Sequence, residues 1–391
     1  MTIEAPAPVL PLLRTGEDVP DDVTYVPSTP ATVLWGRLPG RDDVPVARID
    51  PGDLVVVDTT SHEGLMDDQG GDPVVFFSRH GVDEGDVLED AIAIARDVPR
   101  TEWDGPHVVT GPIAVDGARP GDLLAVTIEA LEMRAPYGVV TTRHGRGVLV
   151  GDSRVDADHS AFCRVESDGT TGSMALHTDD PDGARATFPL APFLGVIGVA
   201  ADQPGRPHST PPGRHGGNLD IALLTVGSTL FLPVQVDGAL LAVGDPHFVQ
   251  GDGEVALTAL EAPLRATLRV EVVPAVDAAA LRAVDGPFAV AQGLLVPTGL
   301  SENLELALRR CVSNAVSLLT SLVDIEPRQA YLYLSAAADF AVTQAVDIVK
   351  GVHGAIRLSD FPELRPGPMT DHVVRALERS ALDAAATEAA R

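Results

Sequence analysis

The apolar residues of this chain fall first into short runs with the spacing of β-strands. Two phrases, IDPGDLVVVDT (49–59) and ARPGDLLAVTIEAL (118–131), each place Pro-Gly-Asp before a run rich in β-branched residues. Pro-Gly favours a turn, and the run behind it predicts a strand. TLRVEVV (267–273) alternates apolar and polar residues, which predicts a strand with one solvated face. VLEDAIAIARDV (87–98) has helical spacing instead and predicts a helix between the first two strands.

The segment LFLPVQVDGALLAVGD (230–245) carries the pattern of a β-hairpin. Its two apolar runs are separated by Asp237-Gly238, a pair that favours a tight turn. We therefore predict two antiparallel neighbours joined directly at this position.

The spacing changes to that of helices in the last third of the chain. From Ser301 onwards, apolar residues recur every three or four positions, which predicts a helix with Ser301 as its N-cap. Pro327 suits the first turn of a second helix, and a third is predicted over residues 336–350. The tail over residues 376–391 predicts an exposed helix or a frayed end.

These elements predict a mainly β (α+β) fold, in which a β-rich body with hairpins carries a C-terminal helical layer. We divide the chain into an irregular Pro-rich arm (1–45), a β-rich body (46–300) in which we expect the functional site, and a helical segment packed on the body (301–391).

Composition and charge exclude several function classes. The net charge of −28 argues against nucleic acid and membrane surfaces as partners, because both attract basic faces. The chain has no long uncharged apolar run and no basic start like that of a signal peptide, so we expect a cytoplasmic protein. Only one lysine, Lys350, is present, which weakens hydrolase mechanisms that need a catalytic lysine. Neither a G-x-S-x-G elbow nor a P-loop occurs.

Two neighbouring segments concentrate oxygen and imidazole groups. They are RHGGNLD (214–220) and GDPHFVQGDGE (244–254), with Glu261 shortly after the second. Asp-Gly and Asp-Pro pairs also make ordinary turns, which is the alternative explanation for each residue alone. Grouped together, carboxylates and imidazoles match a divalent-metal site with mixed ligands, and such an ion could activate water for hydrolysis.

The second of these segments resembles the signature of the acetamidase/formamidase family. That family has a Gly-Asp-x-His-x-x-Gln-Gly-Asp-Gly-Glu run, which GDPHFVQGDGE matches. HVVTGPIAVDGARPGDLLAVTI (107–128) resembles the family's His-x-x-Thr-Gly-Pro-Ile segment, and YLYLSAAADFAVTQAVDIVKGVHG (331–354) resembles its C-terminal helix and Thr-Gln-x-Val-Asp motif. The resemblance implies a β-rich fold, a homo-oligomer, and hydrolysis of small amides to a carboxylate and ammonia.

The matching polar positions become our candidate site residues. We predict at least one divalent ion, zinc first and calcium, manganese or magnesium as alternatives, with ligands from a subset of His62, His107, Asp220, Asp245 and His247. Glu254 is the first choice for the catalytic base, with Asp252 and Glu261 as alternatives. His215, Asn218 and Gln250 are predicted to bind substrate.

Residues 61–82 depart from what the resemblance leads us to expect near the pocket, and they add Glu63 and Asp68 as candidate ligands. The substrate is therefore left open. The alternatives are a hydrolase of a larger amide, ester or carbamate on the same scaffold, and a non-catalytic metal-binding protein. The expected partners are a small-molecule amide and further copies of the chain.

Overall fold

The computed structural model describes residues 10–155 and 157–389, and its strands form two large sheets. In spatial order, the first sheet contains β1 (Thr24–Val26), β4 (Leu54–Asp58), β16 (Leu264–Val273), β6 (Leu123–Met133), β13 (Thr229–Pro233), β17 (Phe288–Ala291), β18 (Leu294–Ser301), β20 (Lys350–Ala355) and β19 (Asp339–Gln344). This sheet is antiparallel apart from the β1–β4 pair.

The second sheet holds the strands that surround the candidate site. In spatial order it contains β10 (Arg185–Pro189), β9 (Thr171–Ala175), β8 (His159–Val165), β7 (Tyr137–Thr142), β15 (Leu260–Glu261), β14 (Leu241–Val249), β11 (Phe193–Gly198) and β12 (Gly216–Asn218). β5 (Val108–Val115) also pairs with β14, and it carries β2 (Val33–Trp35) and β3 (Ala47–Ile49).

The C-terminal helices α3 (Leu304–Leu322), α4 (Pro327–Ala337) and α5 (Pro368–Ala389) cover the outer face of the first sheet. The helices α1 (Pro73–Ser78) and α2 (Glu89–Asp97) instead pack against strands of the second sheet. Short 3₁₀ turns lie at Asp67–Gln69, Glu84–Asp86, Ala278–Leu281 and Leu358–Asp360. Among the described residues no single helix could span a membrane, although α3 and α4 together, bent by 118°, reach the required length and apolar composition.

The alternation along β6 shows how the layers pack. Leu124, Val126 and Ile128 point into the main core between the two sheets. Ala125, on the opposite face, belongs to a second core that includes Leu318 of α3. A strand buried on both faces in this way places one apolar layer between the sheets and another beneath the helices. The predicted mainly β fold with a C-terminal helical layer is confirmed.

Several predicted elements are confirmed. Strands follow both Pro-Gly-Asp phrases, and in each the Asp side chain accepts from the backbone N–H three residues before it, as Asp53 does from Asp50. The helix predicted over 87–98 is α2, and Pro327 is the first residue of α4. The N-cap of α3 is Asn303 rather than Ser301, because the Asn303 side chain accepts from the N–H of Leu306.

The hairpin predicted over residues 230–245 is wrong. β13 pairs with β6 and β17 in the first sheet, whereas β14 pairs with β5, β11 and β15 in the second. Gly238, Ala239 and Leu240 all have positive φ, so the chain turns out of one sheet and enters the other. Both runs are apolar because each is buried within its own sheet.

The helix predicted over residues 336–350 is also wrong. β19 begins at Asp339 and pairs with β20, which begins at Lys350. Pairing at the edge of a sheet overrides the helical propensity of the alanine-rich sequence before it. The division into three segments remains a prediction, although residues 10–45 contribute β1 and β2, and residues 301–389 contribute β19 and β20.

Candidate active site

A cavity of about 850 Å³ opens beside the second sheet, and polar side chains from separate parts of the chain form its floor. The floor residues are His62, His107, Asn218, Asp245, Glu254, Glu261 and Asp347. Asp220 and His247 are fully buried behind them. The carboxylates and imidazoles fall into two groups.

The first donor group consists of His62, His107, Asp245 and Glu261. His62 Nδ1 lies 3.6 Å from Asp245 Oδ1 and 3.9 Å from Glu261 Oε2. His107 Nε2 lies 3.7 Å from the same Asp245 oxygen. One potential ligand atom each from His62, Asp245 and Glu261 lies within 4.8 Å of the others, which is compact enough to hold one ion.

The second donor group consists of Asp220, His247 and Glu254. One ligand atom from each of them again lies within 4.8 Å of the others. His247 Nδ1 is 3.9 Å from Asp220 Oδ1. The Asp347 carboxyl interacts directly with that of Asp220, so four donor residues are concentrated here.

Strand pairing explains why the two groups adjoin. Glu261 on β15 lies directly opposite His247 on β14, and His247 Nε2 is 2.9 Å from Glu261 Oε1. On the other side of β14, β11 contributes Gly195, whose carbonyl accepts the N–H groups of Leu219 and Asp220. A Cβ at Gly195 would lie 2.4 Å from Asp220 Oδ1 and 2.6 Å from Asp245 Oδ2. Only glycine leaves room for the carboxylates to meet.

Three of the donor carboxylates belong to residues whose backbone conformation is rare outside glycine. The φ angles of Asp220, Asp245 and Glu254 are 51°, 51° and 43°. Conformations of this kind each cost of the order of 1–3 kcal/mol, and they concentrate at active sites and ligand clamps. The fold therefore sustains strain at the residues that aim oxygen atoms into the cluster.

Outer partners orient two of the imidazoles. His107 Nδ1 is 3.0 Å from Ser209 Oγ, so a proton on that nitrogen leaves Nε2 free to face Asp245. His62 Nε2 is 3.3 Å from Glu63 Oε1, which turns Nδ1 towards the first donor group. A carboxylate or hydroxyl behind a histidine is the usual arrangement at metal sites.

Glu63 and Asp68 are therefore not placed as ligands. Both pair with Arg143, at 3.1 and 2.9 Å, and Glu63 supports His62 from behind. Burial would raise the pKa of Glu63, but His62 and Arg143 lower it to about 2.

The electrostatics of the floor reflect crowding of carboxylates. Burial raises the pKa of Glu261 and of Asp347 to about 7. Burial alone would also raise the pKa of Asp245, but His107 and His247 hold it well below its usual range. Burial lowers the pKa of His107 to about 4, which keeps its imidazole neutral and able to ligate.

The donor atoms fit a divalent cation. Within the described part of the chain, many buried nitrogen and oxygen atoms of this cluster have no hydrogen-bond partner. These are His62 Nδ1, Asn218 Oδ1, both oxygens of Asp220, Asp245 Oδ1, His247 Nδ1, Glu254 Oε2, Glu261 Oε2 and Asp347 Oδ2. Buried polar groups are normally satisfied, and a cation bound among these donors would satisfy them.

The predicted site residues separate into two sets. His62, His107, Asp220, Asp245, His247 and Glu254 come together, and Asn218 lines the cavity beside them. Gln250 instead donates to the carbonyls of Asp220 and Thr343, so it supports the site from behind. His215 is half-buried beside Gly213 and Gly217, away from the cavity lining. Asp252 is exposed to solvent, so it is not positioned as a catalytic group.

Two residues of the site were missed from the sequence. Asp347 lies in the loop between β19 and β20, and Gly195 lies in the middle of β11. The Thr-Gln-x-Val-Asp motif (343–347) was a signal for Asp347. Gly195 stands in an apolar strand, where nothing distinguishes a glycine that makes room for a ligand.

Comparison with known proteins gives consistent matches. The model of the acetamidase/formamidase family matches residues 74–208 and 199–358. An acetamidase from Mycolicibacterium smegmatis is 30% identical over 211 residues, which cover 41% of this chain and 52% of that protein. A formamidase from Methylophilus methylotrophus is 27% identical over 203 residues, which cover 41% of this chain and 50% of that protein. The chain thus spans about half the length of the curated relatives it matches.

A solved structure extends the similarity over the fold. The acetamidase from Bacillus halodurans matches with a TM-score of 0.65 and 28% identity, over 86% of this chain and 98% of that structure. Because the family model matches more than half of the chain, this protein belongs to the acetamidase/formamidase family.

Proposed function

We propose that the chain hydrolyses the C–N bond of small linear amides, giving a carboxylate and ammonia, with one divalent ion bound by the first donor group. The observation that carries the proposal is the convergence of buried, unpartnered nitrogen and oxygen atoms on the floor of an open cavity. The names of the relatives, acetamidase and formamidase, support the same reaction class.

The ligands of this ion would be His62 Nδ1, His107 Nε2, Asp245 Oδ1 and Glu261 Oε2. Two imidazoles with carboxylates favour zinc, while calcium, manganese and magnesium remain alternatives. When bound, a divalent ion polarises an amide carbonyl and lowers the pKa of water towards about 7.

Glu254 is positioned to carry the proton. It lines the cavity, the N–H of Ala259 donates to its carboxylate, and Oε2 has no hydrogen-bond partner among the described residues. Burial raises the pKa of Glu254 well above its usual range, and the charges of Asp347 and Glu261 add to the effect. A carboxyl group with a raised pKa can take a proton from water and return it to the departing nitrogen.

Asn218 is positioned to orient the substrate. Its Oδ1 is buried at the cavity floor and has no hydrogen-bond partner in the described part of the chain. An amide oxygen of this kind accepts hydrogen bonds, so it would select a substrate with an –NH₂ group.

A larger substrate is the second candidate, favoured by the size of the cavity. About 850 Å³ lies within the range of pockets that hold drug-sized ligands, and acetamide has only a few heavy atoms. Met66, Val148 and Leu257 add apolar surface to the lining, which suits a longer amide, ester or carbamate.

We also propose a homo-oligomer with the dimer as its minimum unit. Large apolar side chains near the cavity mouth are exposed, among them Val150 (69%), Val255 (63%) and Ile348 (57%). Exposed apolar surface of this kind is typical of interfaces between protein chains. Light scattering should return at least twice the mass of one chain at micromolar concentration, and the mass of a single chain would contradict the proposal.

Ammonia release tests the function directly. The purified protein, after elemental analysis, would be assayed with formamide, acetamide, longer linear amides and the matching esters and carbamates, with and without chelator. The proposal expects turnover of amides that chelation abolishes and added metal restores. Turnover of esters or carbamates alone would favour the second candidate, and turnover that survives complete metal removal would refute metal dependence.

A further inference from the structure

The second donor group is not used by the ion that the proposed function requires. Asp220, His247 and Glu254 form a compact set of their own, behind and beside the first group. We infer that Asp220 and His247 of this group, together with the adjoining Asp347, bind a second divalent cation, so that the chain holds a pair of neighbouring ions and Glu254 remains beside them as the proton carrier. The inference deepens the proposed function and rests on its assignment of the first ion to His62, His107, Asp245 and Glu261.

The unpartnered atoms support two sites rather than one. Both oxygens of Asp220 and His247 Nδ1 are fully buried and have no hydrogen-bond partner within the described residues. None of these atoms is needed by the first ion. Asp347 Oδ2, also unpartnered, belongs to the carboxyl that interacts with Asp220. An oxygen-rich set with one imidazole is a suitable ligand set for zinc or manganese.

Glu261 and His247 connect the two groups. Glu261 Oε2 faces His62 in the first group, whereas Oε1 lies 2.9 Å from His247 Nε2. The other ring nitrogen, His247 Nδ1, faces Asp220 in the second group. A carboxylate that ligates one ion and orients the imidazole ligand of another is consistent with two adjacent ions.

The charge balance points in the same direction. Five buried carboxylates converge here, and no arginine or lysine pairs with any of them among the described ion pairs. They are Asp220, Asp245, Glu254, Glu261 and Asp347. Burial of an uncompensated charge is strongly unfavourable. Bound cations would allow these carboxyl groups to ionise together: one divalent ion would compensate two carboxylate charges, and two ions would compensate four.

Two-ion sites suit hydrolysis, because neighbouring ions about 3.5–4 Å apart can clamp the attacking and leaving groups together. The space around Gly195 shows how closely the two groups approach here. A Cβ at that position would lie within 2.7 Å of atoms from Asp220, Asp245 and His247 at once. The donors of both groups therefore surround one small volume.

Metal stoichiometry tests the inference on the full-length chain. The protein would be stripped with chelator, titrated with Mn²⁺ or Zn²⁺ by calorimetry, and measured by native mass spectrometry. We expect two ions per wild-type chain and one in Asp220→Asn, while His62→Ala should lose the other ion. Asp237→Asn, which changes an exposed carboxylate in the loop before β14, should retain two. Circular dichroism would confirm that each variant is folded.

A second readout does not depend on the variants. Two Mn²⁺ ions at neighbouring sites should give a spin-coupled electron paramagnetic resonance spectrum at full loading. A single ion at saturation in the wild type, or two in folded Asp220→Asn, would overturn the inference. Amide turnover with only one bound ion would overturn it and leave the proposed function standing. Two bound ions without amide turnover would support it while refuting the proposed function.

Discussion

Two clusters of buried charge lie within this protein, and they are built on opposite rules. The arginine network consists of Asp58, Asp90, Arg134 and Arg265. Arg265 donates to both oxygens of Asp58, at 2.6 and 3.1 Å, and Arg134 pairs with Asp90 at 2.7 Å. All four side chains are almost fully buried, yet none of their polar atoms lacks a partner.

The carboxylates on the cavity floor have no such partners. They meet imidazoles and one another, and most of their ligand atoms make no hydrogen bond within the described residues. A paired network satisfies its own polar groups, whereas in an unpaired cluster of the same burial a bound ion or substrate would have to do so. Completeness of pairing, rather than burial or charge, therefore distinguishes a structural cluster from a candidate ligand site.

Breaking the arginine network should have the largest effect. Arg265→Met leaves Asp58 buried without its bidentate partner, so the free energy of unfolding should fall by about 3–5 kcal/mol. Arg269→Met is the matched control on the same strand, because Arg269 pairs with a half-exposed Glu129 and should cost only about 0–1 kcal/mol. Chemical denaturation measures both. Equal losses in the two variants would show that the network is not a special stabilising unit.

Removing the carboxyl group of Glu254 should damage catalysis and not folding. Glu254→Gln keeps the shape but removes the proton carrier, so turnover should fall by about 10²–10⁴-fold. Asp252→Asn, two residues away and exposed, should keep near-normal turnover. Steady-state kinetics on the best amide decides the matter. Near-normal turnover in Glu254→Gln would pass the role of base to Glu261, and metal analysis of the same variant would show whether Glu254 also holds an ion.

Filling the space at Gly195 should weaken metal binding by a smaller factor. In Gly195→Ala the new methyl group would meet Asp220 and Asp245, so these carboxylates must move apart. We expect the metal affinity to fall by about 10–100-fold, the size of effect seen when the support of metal ligands is disturbed. Calorimetric titration measures the change, and Gly251→Ala, where a Cβ would meet open space, is the control. Unchanged affinity in Gly195→Ala would show that the donors do not need this space.

The smallest effect is expected where a charge without a partner is removed. In chelated protein, Asp220→Asn should leave the free energy of unfolding unchanged or raise it by about 0–1 kcal/mol, because it relieves crowding among buried carboxylates. Asp58→Asn should lower the same quantity, since it strands Arg265. A large loss of stability in chelated Asp220→Asn would mean that the floor, like the network, is internally satisfied.

Local sequence pattern predicted the secondary structure correctly where the residues of one strand or helix are enough to specify it. Pro-Gly-Asp before an apolar run placed β4 and β6, and 3.6-residue spacing placed α3. The same reasoning failed at Gly238 and at Asp339. A turn signal does not show which sheet the next strand will join. An alanine-rich sequence likewise does not show that the residues after it will pair with the edge strand of a sheet.

Residue types and motifs alone predicted the chemistry of the site, which is a cluster of carboxylates and imidazoles on glycine-rich turns. GDPHFVQGDGE also carried the resemblance that the family match confirms. Which of those groups meet depends on how the strands pair in the folded chain. In the folded chain, His62 and His107 lie beside Asp245, whereas Asp252 and His215 lie outside the cavity. Asp347 and the space at Gly195 also belong to the site. The physical reason is that ligand geometry depends on distances across paired strands, and strand pairing joins residues far apart in the chain.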